Sequence, residues 1–135
     1  MYTQIAQRYL VFLCLGLCSF WFVANAQPTD KAVSTKPTMQ IKTVGANVFY
    51  VQGASEMGSS ANQNFISNAG FVVTPAGVVV VDALGSPELA RKLLAEIRKI
   101  TKKPIHTVVL THYHADHIYG LQVFKEVGAR IVARA

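Results

Sequence analysis

Residues 77–82 read Gly-Val-Val-Val-Val-Asp, and no polar side chain interrupts the valines before Asp82. A strand that is apolar at every position has no face to offer to water. Such a strand belongs inside a sheet that helices cover on both sides. The next segment supplies a helix to cover it. In "SPELARKLLAEIRKIT", Ser86 is placed to cap the helix, Pro87 suits its first turn and Glu88 favours the positive end of its dipole. Leu89, Leu93, Leu94, Ile97 and Ile100 recur at helical spacing and predict one buried face. Arg98, Lys99, Lys102 and Lys103 crowd the far end, where they complement the dipole in solvent.

The flanks extend the pattern. "MQIKTVGANVFYVQG" predicts two short strands about a turn at Gly45-Ala46-Asn47. Residues 54–63 are small and polar and read as a surface loop. Thr74-Pro75-Ala76-Gly77 makes a tight turn between the strand that starts near Asn68 and the valine run. "PIHTVVL" is the next strand. A helix is expected from about Asp116 to Val127, with Leu121, Phe124 and Val127 inward and Gly128 ending it, and "ARIVARA" begins another strand. Several strands followed by helix, strand, helix, strand is an α/β pattern with helices packed on a sheet.

The N-terminus is a different kind of sequence. A short polar stretch with Arg8 precedes 14 apolar residues, Leu10 to Val23, and then Ala24-Asn25-Ala26. The apolar run is shorter than the roughly 20 residues that span a bilayer. It reads as a signal peptide over residues 1–26, cut before Gln27, with residues 27–38 a flexible lead-in. The only two cysteines, Cys14 and Cys18, fall in the segment to be removed, so the mature chain has neither a disulfide nor a thiolate ligand. Periplasmic or secreted location follows, with no stable membrane anchor after cleavage. The net charge of +6 comes without a polybasic run interleaved with aromatics, so no nucleic-acid partner is expected.

Three of the four histidines lie within "THYHADHIYG", residues 111–120. In an extended segment, residues two apart point the same way, so His112 and His114 can present imidazoles to one metal while Tyr113 and Ala115 point elsewhere. Asp116 and His117 follow as the chain turns into a helix and should face a second direction. Four ligands in two directions suit two adjacent metals. Imidazoles beside a hard carboxylate suit zinc, with iron or manganese as alternatives. The cluster closes a strand at its carboxyl end, where α/β sheets place their ligands. His106 alternates away from it along the strand.

His-x-His-x-Asp-His after "VVLT", with "NAGFVVTPAGVVVVDALG" upstream, resembles the metallo-β-lactamase superfamily of metal-dependent hydrolases. The resemblance covers residues 39–135 and implies the first half of an αββα sandwich. It assigns His112 and His114 to a first metal and Asp116 and His117 to a second, with Zn2+ expected, two per complete domain. Asp82 would orient the ligand loop by hydrogen bonds. The implied mechanism is attack by a metal-activated hydroxide, which Asp116 would aim, on the carbonyl of a small ester, lactone or lactam, with sulfate esters also within the substrate range. The second metal would steady the leaving group. Many relatives carry two glycines after the ligands, whereas Ile118-Tyr119-Gly120 keeps one. The family takes further ligands from the second half of its sandwich. No histidine follows His117 and only Glu126 is acidic there, so the chain reads as the N-terminal half of a longer domain. Two alternatives stand beside the hydrolase: an iron-dependent sulfur oxygenase on the same fold, and an inactive metal-binding fragment.

Overall fold

A computed structural model describes residues 38–134. The expected signal peptide, both cysteines and the lead-in up to residue 37 lie outside the described residues. Six strands, β1 (Lys42–Gly45), β2 (Val48–Val51), β3 (Ala69–Thr74), β4 (Gly77–Val81), β5 (Ile105–Val109) and β6 (Arg130–Val132), form one mixed sheet in the order of the chain. β1 to β4 run as antiparallel neighbours, and β4, β5 and β6 are parallel. Parallel neighbours need a crossover, and helix α1 (Pro87–Ile100) provides the one between β4 and β5. Helices α2 (Ala115–Ile118) and α3 (Leu121–Glu126) lie between β5 and β6.

α1 begins where the sequence places it. Ser86 is the N-cap, and its Oγ accepts a hydrogen bond of 3.2 Å from the Leu89 amide, with Pro87 in the first turn. Leu89, Leu93 and Ile97 are fully buried, joined by Ala90. Ile100 departs from the expected face. It is 42% exposed, at the last position of the helix. The basic C-terminal end is solvated, and Lys102 Nζ donates to the Arg98 carbonyl at 2.8 Å.

The core is one cluster between the helices and one face of the sheet: Phe71, Val78, Val80 and Val108 against Leu89, Leu93, Ile97, Val123 and Phe124. Phe49 and Phe71 stack across β2 and β3 at 4.9 Å. The valine run differs from expectation here. Val78 and Val80 are fully buried, but Val79 and Val81 point to the opposite face and are half-buried, because the described residues cover only one side. That second face carries a groove of about 470 Å³ lined by Val44, Val48, Tyr50, Gly70, Val72 and Val81. Strand alternation sends alternate valines to opposite faces, and only one of those faces finds helices here.

The second helical region also departs from expectation. The chain breaks at Tyr119-Gly120 into two helices, and Val127 is 38% exposed rather than inward, its place in the core taken by Val123. Gly120 explains the break. A Cβ there would come within 2.0 Å of the Ala83 carbonyl oxygen and 2.6 Å of Ala90 Cβ. Its amide leaves the helix and donates to the Leu84 carbonyl at 3.1 Å. Gly128, with φ of +86°, ends α3 as expected.

Candidate metal centre

β4 and β5 end side by side, and the two loops that leave their carboxyl ends build the site. The Asp82 amide still donates to the Val109 carbonyl at 2.9 Å, so the β4–β5 ladder continues to Asp82. The backbone then turns. Asp82 and Leu84 both adopt left-handed conformations, with φ of 63° and 65°. Non-glycine residues rarely do so, and aspartate is among those that tolerate it best. The turn is held from outside by the Ala83 amide donating to the His117 carbonyl at 2.8 Å, and by the bond from Gly120 to Leu84. The strained turn and the histidine-bearing helix therefore fix each other.

Asp82 is 5% exposed, and both of its carboxylate oxygens are used. Oδ1 accepts the Thr111 amide at 2.8 Å. Oδ2 accepts the Thr111 hydroxyl at 2.7 Å and lies 2.8 Å from His117 Nδ1. A carboxylate only accepts, so His117 carries a proton on Nδ1, and in the neutral ring Nε2 keeps its lone pair. The same reasoning runs one step further. Thr111 has given its single hydroxyl proton to Asp82, so its oxygen can only accept from His112 Nδ1, which lies 2.9 Å away. His112 is then also an Nδ1–H tautomer with a free Nε2. One buried carboxylate sets the tautomer of two imidazoles, and these are the tautomers that ligate a metal through Nε2.

The four proposed ligands come together at the start of α2. The rings of His112 and His114 are 4.6 Å apart, and those of His112 and His117 are 4.1 Å apart. The turn into α2 thus brings the His117 ring back beside that of His112. Among the described residues, no group of three or more His, Cys, Asp or Glu side chains stands ready-made around a single point. One pair does. His117 Nε2 lies 3.4 Å from Asp116 Oδ2. In the neutral ring with its proton on Nδ1, these two atoms are both acceptors. Two ligands about 2.1 Å from a tetrahedral metal are about 3.4 Å apart, so this pair fits a cation shared between them.

The surroundings are assigned as follows. His106 is exposed, with its Nδ1 2.7 Å from Thr107 Oγ1, and it takes no part. Asn68 is structural, its Oδ1 accepting the Gly53 amide at 3.1 Å. Tyr113 is 82% exposed. A cleft of about 470 Å³ opens at the carboxyl ends of β5 and β6, lined by Leu110, Ile118 and Leu121 together with His112 and Arg134. Two residues escaped the sequence reading. Thr111 carried a signal, since it directly precedes the cluster. Ser67 carried none: its hydroxyl donates to the Asp116 carbonyl across 49 residues of sequence.

The chain is similar to several known proteins. The family model described as "Metallo-beta-lactamase superfamily" matches residues 63–129. A metallo-β-lactamase type 2 of Elizabethkingia meningoseptica is 36% identical over 123 residues, 91% of this chain and 45% of that protein. A linear primary-alkylsulfatase of Pseudomonas sp. (strain ATCC 19151) is 47% identical over 53 residues, 39% of this chain and 10% of that protein. Among solved structures, the metallo-β-lactamase FIM-1 of Pseudomonas aeruginosa, in its mono-zinc form, is similar in fold with a TM-score of 0.60 at 19% identity. That match covers 74% of this chain and 43% of the other. The chain thus spans less than half the length of these relatives. The mixed sheet with its helices is the fold those structures share over the matched part, and the chain belongs to the metallo-β-lactamase superfamily.

Proposed function

We propose that this chain is the ligand-bearing part of an exported zinc hydrolase that acts on a small ester, lactone, lactam or sulfate ester. The observation that carries the reading is the line from Asp82 through His117 to Asp116. A buried carboxylate fixes the imidazole tautomer, and the freed Nε2 faces a second carboxylate at 3.4 Å. His112 and His114 would hold one metal, and Asp116 and His117 a second, with the remaining ligands drawn from elsewhere in the whole protein. The names of two relatives, a β-lactamase and an alkylsulfatase, support the substrate range.

A bound zinc ion lowers the pKa of a coordinated water to around 7 and so supplies a nucleophile at neutral pH. The chain's own residues do the rest. Asp116 accepts a hydrogen bond from the attacking water at its carboxylate and aims it. Asp82 holds the His117 ring directly and the His112 ring through Thr111, so neither imidazole turns during the reaction. Leu110, Ile118 and Leu121 offer an apolar wall beside His112 for the non-reacting part of the substrate.

The experiment uses the full-length protein recovered after export. Metal analysis should find zinc, and a β-lactam, an alkyl sulfate and a lactone are assayed before and after chelation. Activity on at least one should vanish with the metal and return with zinc. His114→Ala should remove most of it and His106→Ala should not. The mass of the same sample should place the N-terminus at Gln27. Iron in place of zinc, or equal losses at His114 and His106 with folding intact, would overturn the assignment.

A further inference from the structure

We infer that Ser67 is a positioning residue for Asp116, and that it couples the loop over residues 54–68 to the candidate metal centre. This rests on the metal-centre reading above and goes one residue deeper.

Helix α2 is only four residues long. A helix leaves its last carbonyls without amide partners, and in four residues nearly all of them are last carbonyls. Each is taken by something particular. The Ala115 carbonyl receives the Tyr119 amide at 3.1 Å, and the His117 carbonyl receives the Ala83 amide at 2.8 Å. The Asp116 carbonyl would receive the Gly120 amide if the helix continued, but that amide has gone to Leu84. Ser67 fills the gap with its hydroxyl. Without it, the carbonyl of a proposed ligand would have no hydrogen-bond partner among the described residues.

Ser67 is well placed to do this. It is buried, between Phe65 in the core and Ala69 at the start of β3. Gly53 presses on its backbone: a Cβ there would lie 2.6 Å from the Ser67 carbonyl oxygen. The Ala54 amide donates to the Phe65 carbonyl at 2.8 Å and pins the same stretch. Side-chain packing, by contrast, does not confine Asp116 from this side. A pocket of about 250 Å³ lies between it and the loop, lined by Asn64, Ile66, Gly85 and Ala115. The hydrogen bond from the Ser67 hydroxyl to the Asp116 carbonyl ties the ligand residue to the loop. Rotation of the Asp116 peptide would swing its carboxylate away from His117 Nε2.

The test is zinc titration of the metal-free full-length protein against a chelating competitor, for wild type, Ser67→Ala, Ser67→Thr, Asp116→Asn and Ser67→Ala/Asp116→Asn. Thermal unfolding of each metal-free form is read alongside. Loss of a partner that orients a ligand costs about 10- to 100-fold in metal affinity. Ser67→Ala should weaken zinc binding about tenfold at the weaker end of that range, and Ser67→Thr, which keeps the hydroxyl, should restore it. If the effect passes through Asp116, Ser67→Ala should change little in the Asp116→Asn background. Zinc affinity unchanged in Ser67→Ala, with only the unfolding temperature lowered, would make Ser67 purely structural and overturn the inference. So would an equal loss with and without Asp116. A wild type that takes up no zinc, or an Asp116→Asn that binds like wild type, would instead overturn the metal-centre reading beneath it.

Discussion

Asp82 meets three donors with two oxygens while its own backbone is left-handed. Few side chains satisfy both demands. It must be short enough to sit in the turn and must accept at both oxygens. Asparagine passes the first and fails the second, since its amide nitrogen would face a donor. Asp82→Asn is therefore expected to lose about 1–3 kcal/mol of stability, from a buried donor left unpaired. It should also lose about 10- to 100-fold in zinc affinity, as the two imidazoles lose their fixed tautomer. Chemical denaturation and a zinc titration of the full-length protein check the two effects. A variant with wild-type zinc affinity would show that Asp82 serves the turn alone. The site was legible where spacing carries it. Three histidines and an aspartate within six residues announce themselves, and Asp82 does so by closing an apolar run. The tie from Ser67 to Asp116 was not legible. It joins a serine among many polar loop residues to a backbone carbonyl, and no side-chain pattern marks a carbonyl.

At the scale of elements, the helices divide in the same way. α1 is local: its cap, its first-turn proline and its leucine spacing all lie within its own residues, so the sequence predicts it nearly to the residue. Only Ile100, at the last position of the helix, escapes. The break between α2 and α3 is not local. Leu121 and Phe124 continue the helical spacing from Asp116, and nothing nearby announces a stop. The stop comes from the Ala83 carbonyl and the Ala90 side chain, which leave no room for a Cβ at residue 120. Gly120→Ala is then expected to destabilise the protein by about 3 kcal/mol, although alanine is the better helix former. Thermal unfolding checks this, and a neutral or stabilised variant would show that the close approach relaxes freely. The same shift would disturb the bond from Ala83 to the His117 carbonyl, so zinc affinity should fall with stability.

At the largest scale, the governing fact is a face of the sheet that none of the described residues covers. The helices bury one side. Val44, Val48, Val72 and Val81 line a groove on the other, and a chain with such a face exposed is prone to associate. Residues 39–135 produced alone are expected to elute as mixed oligomers and to bind zinc more weakly than the full-length protein, because catalytic zinc ordinarily has three protein ligands. Size-exclusion chromatography with light scattering, and a zinc titration, check both. A clean monomer binding two zinc ions tightly would show that these residues suffice. The valine run was legible as a central strand. Which of its faces is covered was not, since an apolar residue states what it avoids and not what it meets.

The sheet also has a history in time. Its strands are neighbours in the order in which they leave the ribosome, so each can add to an edge already laid down, and no early strand has to wait for a late one. The loop that ends at Ser67 and the turn at Asp82 both emerge before His112. When the histidines arrive, the anchors that set their direction already belong to a growing sheet. Synthesis thus delivers these two holders ahead of the imidazoles they orient.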